Sequence, residues 1–258
     1  MIILAIVNQK GGVAKTTTAV TLAHGLAQRG IRVLLVDLDA QGNCADALGL
    51  KKGAGVYRWL ALGDRLGDVV ITARDGLDLI PGDKTTVKAK KIISGESFSE
   101  HTLRNALDGV MGYDTVVLDS APGADVLQIN ALVACTHFLI PVSLSHLATV
   151  GVVDALGTVS SLRKVGAFQG NFLGVLPTMW DRTTKESHAQ LKGMAQHFKR
   201  LIWPPIPVDV KAREAPGHGQ TLWEYAPVSR AIAGVQEGTR MVGGYQRTLD
   251  RLIDEVKL

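Results

Sequence analysis

Apolar residues along the chain fall into short unbroken runs separated by longer stretches of mixed character, a rhythm that predicts strands alternating with helices. The runs at residues 2–7, 31–36, 77–80, 115–118, 137–141 and 171–176 read as strands. Their continuity is what a strand covered on both faces requires. Between them, residues 16–29, 125–134 and 147–165 carry helical spacing. Repeated βα alternation predicts an α/β fold, a mainly parallel twisted sheet with helices on both faces. Right-handed crossovers then bring the C-terminal ends of the strands to one edge, where such sheets bind their ligands. At the far end, residues 245–258 place Tyr245, Leu249, Leu252, Ile253 and Val256 on one helical face. The opposite face mixes Arg247 and Arg251 with Asp250, Asp254 and Glu255. That mixture differs from a cationic membrane-surface helix, so docking on the protein body is expected.

No repeat or linker divides the 258 residues, of which 46% are hydrophobic and 20% charged, so residues 1–258 are expected to form one domain. No apolar run reaches the ~18 residues that cross a bilayer, and no charged leader precedes the first run. A soluble, cytoplasmic protein with no membrane partner is expected. With nothing before Ile2 but the initiating residue, no separate site-specific DNA-binding domain is expected either. Two cysteines, Cys44 and Cys135, supply neither a disulfide framework nor a zinc ribbon.

Chemistry enters where the first apolar run stops. Residues 10–17 read KGGVAKTT. A strand that ends in a glycine-containing loop and opens a helix turns several backbone N–H groups toward one point, where phosphate accepts them. Gly11, Gly12, Val13 and Ala14 would supply those amides, with Thr17 beside them. Lys15 would reach the β- and γ-phosphates, and the Thr16 hydroxyl would bind Mg²⁺. The common pattern G-x-x-x-x-G-K-[ST] is broken here, because Gln9 and Ala14 replace its two glycines. Ala14 is expected at negative φ, since a positive value would cost its Cβ on the order of 1–2 kcal/mol. Lys10 stands too early to be the ordinary phosphate lysine of its own site.

A second motif, VLLVDLDAQGN at residues 33–43, begins as a buried strand and ends in Asp37 and Asp39. In an extended segment, side chains two residues apart point the same way, so both acids would face Mg²⁺ and the γ-phosphate. A third, TVVLDSAPG at residues 115–123, ends a further strand on Asp119, the placement of an acid held near Mg²⁺, commonly through water.

The net charge of +4 matters through its location. Between positions 182 and 213, Arg182, Lys185, Lys192, Lys199, Arg200, Lys211 and Arg213 face only Glu186 and Asp209. If residues 184–200 are helical, Lys185, Lys192 and Lys199 lie along one face, an arrangement suited to a phosphate backbone rather than to base reading. Lys84, Lys88, Lys90 and Lys91 form a second basic cluster. Trp180, Trp203 and Trp223 lack the interleaving of a single-strand binder and are expected in the core or in a pocket wall.

Taken together, the early lysine and the two acidic strand ends resemble the deviant-Walker ATPases of the ParA/MinD family. The stretch IPVDVKAREAPGHG at residues 206–219 is similar to that of its chromosome and plasmid partition members. The resemblance covers nearly the whole chain. It implies that Lys10 crosses a dimer interface to the partner's nucleotide, that Asp37 joins the metal's hydration shell and that Asp39 positions the attacking water. Pro207 and Asp209 would lie near the adenine, and Lys211 would contact DNA. The implied activity is slow ATP hydrolysis with Mg²⁺, stimulated by a ParB-type partner. A homodimer formed in ATP would bind double-stranded DNA non-specifically on the nucleoid. The family departs here at Ser120, Ala121, Pro122 and Gly123, in the loop expected to sense the γ-phosphate. MinD-like membrane ATPases and ATPases that position protein cargo share the pattern. So do nitrogenase iron proteins, which would use the two cysteines for an iron–sulfur cluster shared across a dimer.

Overall fold

The computed structural model describes residues 1–144 and 148–258, with side chains throughout except at 148–150. The chain runs β1 (Ile2–Ile6), α1 (Lys15–Ala27), β2 (Val33–Asp37), α2 (Asn43–Leu48), α3 (Gly55–Leu62), β3 (Ile71–Arg74) and β4 (Leu77–Ile80). It continues through α4 (Thr86–Ile93), α5 (Thr102–Asp108), β5 (Thr115–Asp119), α6 (Val126–Ala134), β6 (His137–Ser143), α7 (Ala148–Lys164) and β7 (Asn171–Thr178). The last part holds α8 (Lys185–Phe198), α9 (Lys211–Glu214), α10 (Leu222–Tyr225), α11 (Arg230–Ala233), β8 (Val235–Glu237), β9 (Arg240–Val242) and α12 (Tyr245–Val256). The expected helix start at Leu147 lies outside the described residues.

Among those residues, strands β3-β4-β2-β5-β1-β6-β7 form one sheet, parallel except for β3, which pairs antiparallel to β4 at one edge. The apolar runs divide their side chains between two cores. Ala5, Leu34, Val36, Val116 and Leu118 point into one, with residues of α3 to α8. Leu4, Ile6, Val33, Leu35 and Val117 point into the other, covered by α1, α2 and α12. This period-two division explains why the strands are apolar throughout: each face meets a helix layer. The expected mainly parallel α/β fold is therefore observed, with β5, β6 and β7 one or two residues longer than expected, β1 one residue shorter, β2 starting at Val33 instead of Ile31, and the edge strand β3 added.

Helix α12 buries Tyr245, Leu249, Leu252 and Val256, and Ile253 packs at the margin of the same core. Its apolar face is spent on the body of the protein. Among the described residues no helix is long and apolar enough to cross a membrane.

Candidate functional site

β1 ends at Ile6, and the loop that follows is held from within. Asn8 is buried; its Oδ1 accepts the Lys10 N–H at 2.9 Å and its Nδ2 donates to the Pro141 carbonyl of β6 at 2.8 Å. Helix α7 passes so close that a Cβ at Gly151 would sit 2.4 Å from Asn8 Oδ1. Farther along, the Thr178 hydroxyl donates to the Val13 carbonyl, and the Gly123 N–H donates to the Gln9 carbonyl. Asn8 carried no motif in the sequence; only its contacts show that it sets the path of Lys10.

Ala14 adopts φ 65°, ψ 33°, which overturns the negative φ expected from its Cβ. Gly12 is also left-handed, at φ 70°, with Val13 between them outside that region. Such alternation turns successive amides toward one concave side, and the need to build that concavity at the helix start outweighs the steric cost to Ala14. The Ala14 carbonyl then accepts the Thr18 N–H, opening α1.

Lys15 is the buried cation of the site, and its Nζ donates to the Lys10 carbonyl at 2.9 Å. Burial lowers its pKa, while the charges of Asp119 and Asp39 act against that shift. The Thr16 hydroxyl donates to Asp119 Oδ2 at 2.7 Å.

β2 and β5 are neighbours in the sheet, with Asp37 opposite Asp119. Neither is exposed. Asp37 accepts the Asp39 N–H on Oδ1 and the Cys44 N–H on Oδ2. Asp119 Oδ2 accepts the Thr16 hydroxyl and, at 3.4 Å, the Cys44 thiol, whereas Oδ1 is buried without a hydrogen-bond partner among the described residues. Burial pushes the Asp119 carboxyl up to about 6, and burial together with the Asp119 charge holds Asp37 well above the usual range. Two buried carboxylates, one of them with an unpartnered oxygen, and a neighbouring hydroxyl make a donor set that fits a hard divalent cation.

Asp39 departs from its expected geometry. β2 stops at Asp37, and Gly42, at φ 66°, precedes α2 at its N-cap, so Asp39 lies on the connecting turn instead of continuing the strand. Its Oδ1 accepts the Gln41 N–H at 3.0 Å, and its charge still reaches Lys15 and Asp119. Of the two acids, only Asp37 is placed by strand alternation.

Thr17 stands between two cavities. One, of about 280 Å³, lies among α1, α2 and residues 212–222 and includes Thr16, Asn43, Asp46 and Thr221. The other, of about 90 Å³, brings Ala14 and Thr17 beside Pro207, Asp209 and Tyr245. The two residues expected near a base thus lie next to the end of the loop. Asp209 is held by the Lys211 and Ala231 N–H groups. The EAPGHG stretch ends at Gly219, which meets Gly49 backbone to backbone: a Cβ on Gly219 would come within 2.6 Å of Gly49 Cα. Arg74 fastens this contact, donating to the Gly219 carbonyl and pairing with Glu224.

Lys185, Lys192, Lys199, Arg200, Lys211 and Arg213 are all exposed. The expected lysine stripe is shorter than its spacing implied, because α8 ends at Phe198 and Lys199 turns out of it at φ 50°, ψ −119°. That turn lets Ile202 bridge to Val175 of β7 and Trp203 donate to the Val175 carbonyl. Only Lys185 and Lys192 share the helix. Lys211 pairs with Glu214 at 2.8 Å and lies over the Tyr225 ring, and Arg213 lines the smaller cavity. In the second basic cluster, Lys90 pairs with Asp125. Trp180 and Trp203 are buried, and half-buried Trp223 donates to the Thr21 carbonyl.

The shared iron–sulfur alternative is contradicted. Both cysteines are buried: Cys44 lies at the C-terminal ends of β2 and β5, and Cys135 precedes β6 at the opposite edge of the sheet. Neither is offered to a second subunit.

A family model described as an AAA domain matches residues 1–169. The chain is 40% identical to the chromosome-partitioning ATPase Soj of Thermus thermophilus, covering 88% of this chain and 89% of that one. Among solved structures, apo McdA of Cyanothece superposes with a TM-score of 0.81 at 27% identity over 88% of this chain and 94% of its own. Cobyrinic acid a,c-diamide synthase of Mycobacterium smegmatis, with an ATP analogue and magnesium bound, gives 0.75 at 31% identity over 85% and 93%.

Proposed function

The chain belongs to the ParA/MinD family of deviant-Walker ATPases, close to its Soj-type partition members, and from that premise we propose that it is an ATP-switched dimer that binds and releases DNA. The observation that carries this reading is the meeting of Lys15, Thr16, Asp37 and Asp119 at the ends of three adjacent strands, below a loop aimed by Asn8. In this reading the amides of residues 11–15 and the first turn of α1 hold the phosphates, and Lys15 neutralises them. Thr16 and Asp119, with Asp37 behind them, would hold Mg²⁺. Magnesium bound there would offset charge on the β- and γ-phosphates. Pro207 and Asp209 would border the adenine in the smaller cavity.

Two protomers would close face to face, each lending Lys10 to the other's phosphates. A γ-phosphate favours that pairing because it offers Lys10 a contact that ADP lacks, and a ligand shifts an equilibrium only through such differential contacts. Asp39, on a turn free of the strand ladder, would orient the attacking water. Hydrolysis then dissolves the pair, slowly unless a ParB-type partner completes the site. Pairing doubles the basic surface that Lys185, Lys192, Lys199, Arg200, Lys211 and Arg213 would offer to the phosphate backbone, placing the protein on the nucleoid. The cargo in this reading is a chromosome or plasmid.

Co-sedimentation with unrelated double-stranded DNA tests the proposal. DNA should be retained in ATP and released in ADP, with affinity falling by about 0.9 log units per log unit of salt for each phosphate neutralised. Retention independent of nucleotide would refute the switch, and retention on anionic vesicles instead of DNA would refute the choice of surface.

A further inference from the structure

Cys44 is the member of the acidic cluster for which magnesium has no use. Its thiol has no exposed surface and lies 3.4 Å from Asp119 Oδ2, while its own N–H donates to Asp37 Oδ2. One ligand atom from each of Asp37, Cys44 and Asp119 lies within 4.8 Å of the other two. Asp119 also carries the buried Oδ1 that has no partner among the described residues. Cys135 provides the contrast: its thiol donates to the Leu132 carbonyl within the apolar core.

We propose that Asp37, Cys44 and Asp119 bind a thiophilic divalent cation, zinc or cadmium, in the nucleotide-free protein. Bond lengths of about 2.3 Å to sulfur and about 2.0 Å to oxygen set the S···O separation in a tetrahedral site at about 3.5 Å. Cys44 Sγ and Asp119 Oδ2 stand at 3.4 Å, so little movement closes the site. The ion bonds to sulfur as the thiol proton leaves to solvent. One thiolate and two carboxylates exceed the dication by a single negative charge, which the neighbouring Lys15 ammonium offsets. The Thr16 hydroxyl, already on Asp119, or a water completes four-coordination. Magnesium gains nothing from sulfur, because it demands oxygen ligands in octahedral array. Zinc on Asp119 would exclude magnesium from the same carboxylate. The cation site stands on side-chain geometry alone; only that exclusion rests on the proposed function.

Titration of metal-free, nucleotide-free protein with Cd²⁺ tests the site through the ultraviolet charge-transfer band of a cadmium thiolate. One saturating equivalent is expected, retained in Cys135→Ser and lost in Cys44→Ser. Cadmium affinity should fall by more than the roughly 10- to 100-fold that loss of an outer-sphere contact costs. X-ray absorption at the zinc edge needs no variant: one equivalent of zinc on the unmutated protein should show a sulfur at about 2.3 Å beside oxygen ligands. Absence of the band in the unmutated protein, its survival in Cys44→Ser, or a zinc shell without sulfur overturns the proposal.

Discussion

Asp37 and Asp119 stand opposite each other at the ends of adjacent parallel strands, with no exposed surface on either. Their proximity is unfavourable in the metal-free protein, and a bound cation would relieve it. With the Asp119 carboxyl pushed up to about 6, the folded state keeps a proton that an unfolded aspartate, with a pKa of roughly 3.9, has released. Stability from this group is therefore fully present below about pH 3.9 and lost as pH rises through about 6. Asp119→Asn should remove that dependence. In denaturant titrations with chelator, the variant should gain stability relative to the parent between pH 4 and pH 7, and a constant difference would contradict the assignment.

His24 works in the opposite direction. It is buried in α1 with its Nδ1 2.7 Å from the Thr221 hydroxyl, and burial lowers its pKa. An unfolded histidine titrates near 6.5 (approximately). Its contribution is thus full above about pH 6.5 and declines as pH falls toward the lower folded value. His24→Gln, which can still meet Thr221, should lose stability less steeply than the parent from pH 7.5 to pH 5. Parallel profiles would rule out His24 as the group responsible.

Ala14→Gly removes a Cβ from a left-handed residue. The relief of about 1–2 kcal/mol is partly offset by the roughly 0.4–1 kcal/mol that glycine adds to the freedom of the unfolded chain. A net gain of about 0.5–1 kcal/mol is expected in equilibrium unfolding. Unchanged or reduced stability would mean that the loop bears no strain at this residue.

Asn8→Ala leaves the Lys10 N–H and the Pro141 carbonyl without their side-chain partner. A buried polar group left unsatisfied costs about 1–3 kcal/mol, so a loss of about 2 kcal/mol is expected, with weaker nucleotide binding as the path of Lys10 loosens. Asn8→Asp keeps the acceptor for Lys10 and should retain more nucleotide affinity than Asn8→Ala; equal affinities would remove Asn8 from its positioning role.

The sheet and the acids at its edge were legible because each is a local pattern: the runs of β1, β2 and β5 are continuous, and Asp37 and Asp119 close two of them. What escaped depends on distant partners. β3 is a short edge strand with Ile71 and Thr72 exposed, and Arg74 at its end is tied to Glu224, 150 residues away. Ala14 looked incompatible with positive φ because its side chain was weighed without the amides it must turn. Lys199 left the helical stripe because Ile202 and Trp203 had to reach Val175. Cys44 stands one residue past the motif at 33–43, and only the start of α2 carries it onto Asp37 and Asp119.

In the proposed switch Lys10 serves the nucleotide of a second protomer, and molecular mass in solution reports on that exchange. Asp39→Ala, saturated with ATP and magnesium, should scatter light as a dimer, and Asp39→Ala combined with Lys10→Ala should bind ATP yet remain a monomer. A dimer that persists without Lys10, or a monomer in the ATP-loaded Asp39→Ala protein, would show that Lys10 does not cross to a second protomer.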